Sequence, residues 1–503
     1  MQRRTNLARA VRAALVLQFW NPFIGVHAQG LNNLWTGGYA SWAGLPYGGI
    51  DIDFQGNNAA ISYVVREMDY MTTVANITST AGPLLFSTNG IRVADASGAT
   101  MYNGGGLNPG DYADSCPYGL FIPQGALILP YPEDPSIYLL FHTTVDDFAT
   151  ATASQLYLTT IDMSLNDGIG GVVSKNQPIL VDDLNVGRLA AVRHANGRDW
   201  WVFCHKIDTD IHYRLLVTPA GVAIDGSQAI GIVRSSEAGQ ACFSPDGSRF
   251  AYYWGEDADL DIFRFDRCTG LFFDPIYVPV DDELVGGVSF SPSGRYAYVS
   301  STLDVYQVDT EAPDVPSSIV HIAHWDSTYS PSPPLATYFS ISQLAPDGKI
   351  YIGTGNGTLH LHVIHAPDSA GLACDLEQHG LELPAFNADA LPNHPNYHLG
   401  PVVGSVCDSL DLGTGMAAQQ VQLGAQAYPN PSNGQFNLSY PVQPEAGTLE
   451  VLDMQGRVVY QSRLAAWSQV HAVGLEGKAE GMYHCRLTWG ARSASTRIII
   501  TEP

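Results

Sequence analysis

Hydrophobic residues occur along the chain in short runs that are separated by Gly, Pro, Asn and Asp. Examples are residues 137–144 (IYLLFHTT), 199–206 (DWWVFCHK) and 249–254 (RFAYYW). Apolar residues at helical spacing are almost absent. Short apolar or alternating runs bounded by turn residues are typical of β-strands. The pattern therefore predicts an all-β protein.

A larger unit repeats in the middle of the chain. Residues 241–254, 288–300 and 342–354 each contain a strand, a Pro-x-Gly turn and a second strand. Proline presets φ in such a turn, and glycine tolerates positive φ. Several strands in each repeat of about 40–50 residues are the signature of a β-propeller.

The number of blades follows from three further segments of the same layout. They start at Pro83, Gly125 and Leu189 and bring the blades that can be identified to six. Residues 30–60 and 391–402 are expected to close the ring or to complete a seventh blade. Ring closure removes exposed strand edges. We therefore predict a six- or seven-bladed β-propeller.

Residues 428–503 carry a separate strand pattern, which predicts a small Ig-like β-sandwich after the propeller. A hairpin turn is expected at residues 453–456 between two strands. The preceding residues 403–427 are rich in Gly, Ala, Gln and Ser without strong periodicity, which is typical of a linker. The propeller is then assigned to residues 29–402.

Several motifs in the propeller region resemble known families. The hairpin FSPDG followed by an aromatic strand resembles TolB-like and WD-type propellers. PLLFSTNGIRV, QLAPDGKIYIG and LPNHPNYHLGP, which follow one another within residues 83–400, resemble a family of secreted propeller proteins of Bacteroidetes. The resemblance implies architecture and export, and it supplies no catalytic residues.

The C-terminal pattern resembles the C-terminal sorting domain of the type IX secretion system. A Pro-Asn-Pro opening, a D-x-x-G-R turn and a G-x-Y strand precede a closing strand, in which Arg replaces the Lys common in that family. The resemblance implies type IX machinery as a partner, removal of the domain within the linker, and a secreted or outer-membrane surface location reached through the periplasm. The motif residues are Pro429, Asn430, Pro431, Asp453, Gly456, Arg457, Gly481, Tyr483 and Arg497.

The N-terminus also predicts export. A stretch with four arginines is followed by an interrupted apolar run and by the small-x-small site Val26-His27-Ala28. This is the layout of a signal peptide over residues 1–28. No later run reaches the roughly 18 apolar residues that a spanning helix needs, so no integral membrane segment is predicted.

Charge and cysteine content narrow the function further. The formal charge is −25, with 49 acidic against 24 basic residues, which disfavours nucleic acid as a partner. None of the seven cysteines is spaced C-x-x-C, which disfavours a zinc ribbon or a thioredoxin-like site. Export permits disulfides. The favoured pairs are Cys374–Cys407 and Cys242–Cys268, and the alternative is unpaired buried thiols.

The common catalytic motifs are absent from the sequence: there is no G-x-S-x-G, H-E-x-x-H, P-loop or dinucleotide fingerprint. His360 and His362 share a strand face and can chelate a metal, but without an evident third ligand a structural role is favoured. Alternating carboxylates can bind calcium, and a solvated loop is the alternative. Calcium is thus the one candidate cofactor, at Glu256, Asp257, Asp259 and Asp261.

Two long insertions, residues 102–118 and 310–338, are candidates for a binding face. The second combines imidazoles with aromatic rings that suit stacking on a glycan or peptide. Its alternative is a Pro-rich connector whose aromatic residues cover a blade. The candidate ligand-binding residues are His321, His324, Trp325 and Tyr329.

The favoured function is that of a secreted or cell-surface protein that binds an extracellular glycan or protein or serves as a structural module. One alternative is an extracellular hydrolase or lyase that acts on carbohydrate or peptide at the propeller funnel. Another is a metal-dependent module. The absence of a catalytic motif favours the first function over the second.

Overall fold

The structure is a computed structural model. The predicted signal peptide, as well as Glu256 and Asp257, lies outside the described residues. The structure describes residues 30–501 apart from 57, 148–149, 236–238, 256–258, 281–285, 409–422, 444, 476 and 491.

Short antiparallel meanders form the N-terminal part of the protein. Each meander is one blade. The first strands of blades 1 to 3 contact one another in turn, as do those of blades 4 to 7, so the first strands surround a central channel. Blade 1 has three strands where the others have four, and the outermost strands of blades 2 and 3 pair at Tyr102 and Gly171, so that these two blades form one eight-stranded sheet. The strands of blades 1 to 3 are β1 (Leu34–Tyr39), β2 (Gly48–Asp53) and β3 (Ala60–Val64); β4 (Ala75–Thr78), β5 (Leu84–Thr88), β6 (Arg92–Asp95) and β7 (Thr100–Gly105); and β8 (Ala126–Pro130), β9 (Ile137–His142), β10 (Thr152–Asp162) and β11 (Gly171–Asn185).

Four further blades complete the ring, and the described residues thus form seven blades. Their strands are β12 (Ala190–Arg193), β13 (Trp200–His205), β14 (Thr209–Thr218) and β15 (Gly221–Arg234); β16 (Gly239–Phe243), β17 (Arg249–Trp254), β18 (Asp259–Asp266) and β19 (Leu271–Pro279); β20 (Gly286–Phe290), β21 (Tyr296–Ser301), β22 (Asp304–Asp309) and β23 (Val320–His324); and β24 (Ser342–Leu344), β25 (Ile350–Ile352), β26 (Gly357–Ile364) and β27 (Leu376–Ala388).

Helical structure among the described residues is limited to short turns. None of these helices is long and apolar enough to cross a membrane. They are α1 (Asp111–Ser115) and the 3₁₀ turns Ser41–Ala43, Asn166–Gly168, Pro316–Ser318 and Gly371–Cys374.

The three Pro-x-Gly units lie where the repeat predicts them. Each turn joins the first and second strands of its blade, in blades 5, 6 and 7. Gly247 and Gly294 have φ of 71° and 75°, the positive values that favour glycine. The turns therefore gather at one face of the ring, which we call the hairpin face.

The two segments expected to close the ring have different roles. Residues 34–64 form blade 1, in which Trp35 of β1 packs edge-on against Tyr351 of blade 7 with the ring centroids 5.7 Å apart. Residues 391–402 add no strand to a blade. Ring closure thus depends on packing between blade 1 and blade 7.

Apolar side chains fill the spaces between neighbouring blades. Between blades 4 and 5, Phe203 packs on Phe272 and Phe265 with ring centroids 4.8 and 5.5 Å apart. Offset and edge-on rings of this kind contribute beyond the area they bury. Phe250 extends the same cluster, with its ring centroid 4.9 Å from that of Phe272.

The C-terminal residues form the predicted β-sandwich. One sheet has the strand order β28-β35-β34-β31-β32 and the other β29-β30-β33. Alternate residues of the strands face a separate core that contains Trp489 and Tyr440. The strands are β28 (Leu423–Gly424), β29 (Gln426–Tyr428), β30 (Gln435–Ser439), β31 (Gly447–Leu452), β32 (Val458–Leu464), β33 (Val470–Gly474), β34 (Gly481–Trp489) and β35 (Arg492–Ile500).

Both favoured disulfide pairings are wrong, because Cys268 bonds to Cys407. Cys374 is buried at the end of a 3₁₀ turn and Cys242 lies on the first strand of blade 5, and both are free thiols. Cys268 lies in the turn between β18 and β19, which residues 401–408 reach after they leave the channel. The bond therefore attaches the end of the propeller chain to blade 5.

We expect Cys407→Ser to lower the free energy of unfolding by about 2–4 kcal/mol, because the bond links residues 139 apart and restricts the unfolded chain. Chemical denaturation measures this change. Dithiothreitol should destabilise the wild type by a similar amount and leave Cys407→Ser unchanged. An equal response of both proteins to the reductant contradicts the assignment.

A second prediction concerns Asp389, which follows β27 and accepts hydrogen bonds from Ser340 Oγ (2.7 Å) and Gly355 N (3.2 Å). Burial raises the pKa of this carboxyl to about 7. Since its pKa in the unfolded chain is about 4, the folded state binds the proton more tightly, and this group makes stability fall as pH rises from about 4 to about 7.

Asp389→Asn should remove this contribution. The melting temperature of the variant minus that of the wild type should therefore increase as the pH is raised from 5 to 8. Asp261, whose pKa is also raised, is unchanged in both proteins and serves as the common background. A difference in melting temperature that does not vary with pH counts against the prediction.

Candidate functional site in the central channel

Three buried carboxamide side chains cross the channel between blades. Gln240 Oε1 accepts hydrogen bonds from the backbone N of Val288 (3.1 Å) and Ser342 (3.0 Å), and its Nε2 donates to Ser342 O (2.6 Å). Gln124 makes a similar pair with Ala241, accepting from N at 2.7 Å and donating to O at 2.8 Å. These bonds connect strands of different blades.

The third carboxamide is Asn393, which comes from the chain after the last blade. Its Nδ2 donates to Ala126 O (3.1 Å) and Leu189 O (2.8 Å), and its Oδ1 accepts from Gln124 Nε2 (3.1 Å). We call Gln124, Gln240 and Asn393 the amide floor. It satisfies inner-strand peptide groups that have no neighbouring strand.

Residues 391–400, which we call the channel segment, fill the side of the channel next to blades 2 to 4. Asn393 N donates to Val74 O (3.0 Å), and Tyr397 Oη donates to Ile128 O (2.8 Å). His394 Nε2 donates to Asn76 O (2.8 Å), and Arg193 lies over the indole ring of Trp200 beside Tyr397. The segment is thus bound along its length.

The rest of the channel above the amide floor is a cavity of about 640 Å³. Its walls are the first strands of blades 4 to 7 and the channel segment, and it lies beside the turns of the hairpin face. The prolines of the three Pro-x-Gly turns surround its mouth. Side chains and backbone around it include Ala191, Cys242, Pro245, Phe243, Phe290, Pro292, Leu344, Pro346, Asp347, Pro395 and His398.

The cavity carries little charge. Burial lowers the pKa of His394 to about 4 and also lowers that of His398, which keeps His394 neutral at physiological pH. Burial raises the pKa of the Cys242 thiol to about 12. Asp347 is the one carboxylate of the lining, and it accepts hydrogen bonds from Tyr351 Oη (2.8 Å) and Lys349 N (3.1 Å). The lining therefore suits an uncharged ligand.

The candidate binding residues of the second insertion lie elsewhere, at the outer edge of blade 6. His321 Nε2 and His324 Nδ1 lie 2.6 and 2.9 Å from the same Asp304 oxygen. Trp325 is half-buried, and its ring packs 5.4 Å from Tyr329, which exposes 53% of its surface. The structure brings the four residues together on one surface that is separate from the cavity lining.

The proposed calcium ligands are only partly described. Asp259 Oδ2 lies 2.8 Å from Arg234 Nη1, and Asp261 Oδ2 accepts from Arg234 Nε at 2.9 Å. Burial raises the pKa of Asp261 to about 6, and Arg234 opposes that rise. Within the described ranges no three His, Cys, Asp or Glu side chains meet in a metal-binding arrangement. Calcium binding here stays a prediction.

The two strand histidines have protein partners. His362 is fully buried, its Nε2 donates to Tyr338 O (3.0 Å) and its Nδ1 accepts from His379 N (3.2 Å). His360 is half-buried, and its ring centroid lies 5.6 Å from that of His379. These contacts fit the structural role that the sequence favours.

The sorting motif residues fold into the sandwich. Asp453 accepts from Arg457 N (2.9 Å) and pairs with its guanidinium (2.7 Å), which closes the turn at Gly456. Asn430 Nδ2 donates to Arg497 O (3.0 Å) and so attaches the opening of the domain to its last strand. The remaining motif residues flank Asn430 or begin β34: Pro429, Pro431, Gly481 and Tyr483.

Comparison with known proteins identifies the C-terminal domain. Residues 426–501 match the model of the secretion system C-terminal sorting domain. The type IX resemblance is thereby confirmed, and the domain implies export to the cell surface or the medium. No curated protein matches the chain.

Solved structures resemble the chain at low sequence identity. A putative 6-phosphogluconolactonase of Bacteroides fragilis is 11% identical with a TM-score of 0.43, and 72% of this chain covers 97% of that one. The periplasmic gluconolactonase of Pseudomonas aeruginosa is 14% identical with a TM-score of 0.37, and 88% of this chain covers 99% of it. The Dos1 propeller is 9% identical with a TM-score of 0.40, and the aligned parts are 72% and 88%.

Proposed function

We propose that this exported protein is a ligand-binding β-propeller and that its ligand occupies the cavity at the hairpin face. The cavity itself carries the proposal, because its volume of about 640 Å³ lies within the roughly 300–1,000 Å³ typical of small-molecule sites. The amide floor closes its inner end, so a ligand enters from the hairpin face. The ligand is a small molecule or the end of a larger extracellular chain.

The lining supports binding over hydrolysis. Glycoside hydrolysis uses two carboxyl groups on either side of the bond that is cleaved. Asp347 is the single carboxylate among the residues around the cavity. Its two hydrogen bonds, from Tyr351 and Lys349, hold it against its own blade. A glycoside hydrolase with two catalytic carboxyl groups in the funnel is therefore the less supported alternative.

Tyr329 and Trp325 are a second proposed contact surface, for an extracellular glycan or protein. What supports it is the exposed ring of Tyr329, which packs on Trp325, and the two imidazoles of the same insertion that meet at Asp304. It lies at the outer edge of blade 6, so a macromolecule on this surface leaves the cavity accessible. The two proposals are independent of each other.

The cavity proposal is tested with Leu344→Trp, because Leu344 is half-buried and lines the wall. The larger ring reduces the free volume, and Leu344→Met is the control of similar volume. Wild type and Leu344→Met should bind members of a set of uncharged fragments, measured by ligand-observed NMR. Leu344→Trp should bind them at least tenfold more weakly. Equal binding by all three proteins contradicts the proposal.

Export is tested by removing residues 426–503. The sandwich has its own core, so the propeller should fold without it and accumulate in the periplasm. Cell fractionation locates the product, and limited proteolysis reports its folding. The matched control is Asp453→Ala, which weakens one turn of the sandwich and keeps the domain. Arrival of the truncated chain at the cell surface or in the medium overturns the assignment.

A further inference from the structure

The first strand of each blade exposes one edge to the channel, and peptide groups on that edge have no neighbouring strand. In an antiparallel pair only every second residue bonds to the partner strand. In β16, Ala241 N bonds to Gln124 instead of to β17. Phe243 has the same parity, so its N–H and C=O also face the channel.

The strand partners confirm this parity. Ser244, the residue after Phe243, donates its N–H to Arg249 O of the hairpin (2.9 Å), so the paired positions alternate with the channel-facing ones. Ser291 N bonds to Tyr296 O in the same way (2.8 Å). Phe243 and Phe290, which precede these two serines, therefore direct their N–H and C=O groups away from their own blade.

The same alternation places four peptide groups at one level. Val288 and Ser342 donate to Gln240, and Leu189 accepts from Asn393, so these three lie on the channel-facing edge. Two residues further along each strand, about 7 Å from the amide floor, the edge positions belong to Ala191, Phe243, Phe290 and Leu344. All four line the cavity.

The amide floor shows which chemical group fits such edges. The carboxamide of Gln240 accepts two N–H bonds with its oxygen and donates one bond with its nitrogen, which joins blade 6 to blade 7. Gln124 accepts a hydrogen bond from the N–H of Ala241 and donates one to the C=O of the same residue. In the layer above, Phe290 N–H faces the thiol of Cys242, and Leu344 O accepts from its neighbour Gln343 (3.3 Å). Among the described residues, the N–H and C=O of Ala191 and Phe243 and the N–H of Leu344 have no side-chain partner.

We propose that the cavity recognises a carboxamide or peptide group of an uncharged ligand. The amide of the ligand takes the role that Gln240 and Gln124 have in the floor, toward the channel-facing groups of Ala191, Phe243 and Leu344. Its apolar part contacts the prolines at the mouth. This inference rests on the proposed cavity function and specifies the ligand class as peptide-like.

The charge and the hydrogen-bonding groups of a ligand explain why the cavity should reject a carboxylate or a ketone of the same shape as the amide. Among the described residues around the cavity there is no Lys or Arg, so a carboxylate finds no counter-ion there. A carboxylate or a ketone also accepts without donating, which leaves the inward carbonyls unpaired. An unpaired buried polar group is costly, so the site discriminates against both.

Four probes with one aromatic body test the inference on the full-length protein: phenylacetamide, phenylacetone, phenylacetate and 2-phenylethanol. In NMR or calorimetric titrations, phenylacetamide should bind at least tenfold more tightly than phenylacetone and phenylacetate. It should also bind more tightly than 2-phenylethanol, whose hydroxyl has one donor where the carboxamide has two. Equal or tighter binding of any of the three overturns the amide assignment and leaves the cavity function standing. If none of the four binds, and the fragment set also fails, both proposals fall.

A backbone substitution tests the same point. Proline is tolerated on a strand edge whose N–H bonds to no other strand, so Leu344→Pro deletes the inward donor, and Leu344→Ala is the matched control. We expect Leu344→Pro to lose at least fivefold of the preference for phenylacetamide over phenylacetone, and Leu344→Ala to keep it. Equal preferences in two folded variants, checked by thermal melting, contradict the role of this N–H. If Leu344→Pro does not fold, the edge assignment of its N–H is wrong.

Discussion

Seven strand edges that meet around one axis impose the main constraint on this protein. Each inner strand pairs on one side only, and the peptide groups on its other side are withdrawn from bulk water by the neighbouring blades. Buried N–H and C=O groups require partners. At the inner end of the channel, Gln124, Gln240 and Asn393 are the partners of these groups and close the channel. Above them the channel is open and forms the cavity.

The position of the C-terminal part of the propeller follows from that constraint. The channel segment supplies Asn393 to the floor and Tyr397 to blade 3, so the chain after β27 contributes to the centre of the ring as well as to its rim. Its histidines are neutralised by burial, which keeps a mostly apolar wall opposite blades 5 to 7. The cavity is therefore asymmetric, with peptide edges on one side and the channel segment on the other.

The sequence predicts features that depend on local spacing. The Pro-x-Gly turns at Pro245, Pro292 and Pro346 and the strand pattern of the C-terminal sorting domain are contiguous patterns, and the turns and the domain are both confirmed. The amide floor gives no such signal, because Gln124, Gln240 and Asn393 are single polar residues far apart in the chain. The disulfide was mispredicted for a related reason: Cys268 and Cys407 become neighbours only when the segment after the channel returns to blade 5.

The same return of the chain bears on the predicted removal of the sorting domain. Cleavage is predicted within residues 403–427, and a cut after Cys407 in that linker would leave the disulfide with the propeller. The new C-terminus would then lie at most 20 residues beyond a covalent attachment to blade 5. A carboxypeptidase that trimmed the mature protein from that end would reach this cross-link before the channel segment. The disulfide at the rim would thus protect Asn393, which completes the amide floor at the centre of the ring, from removal by such an enzyme.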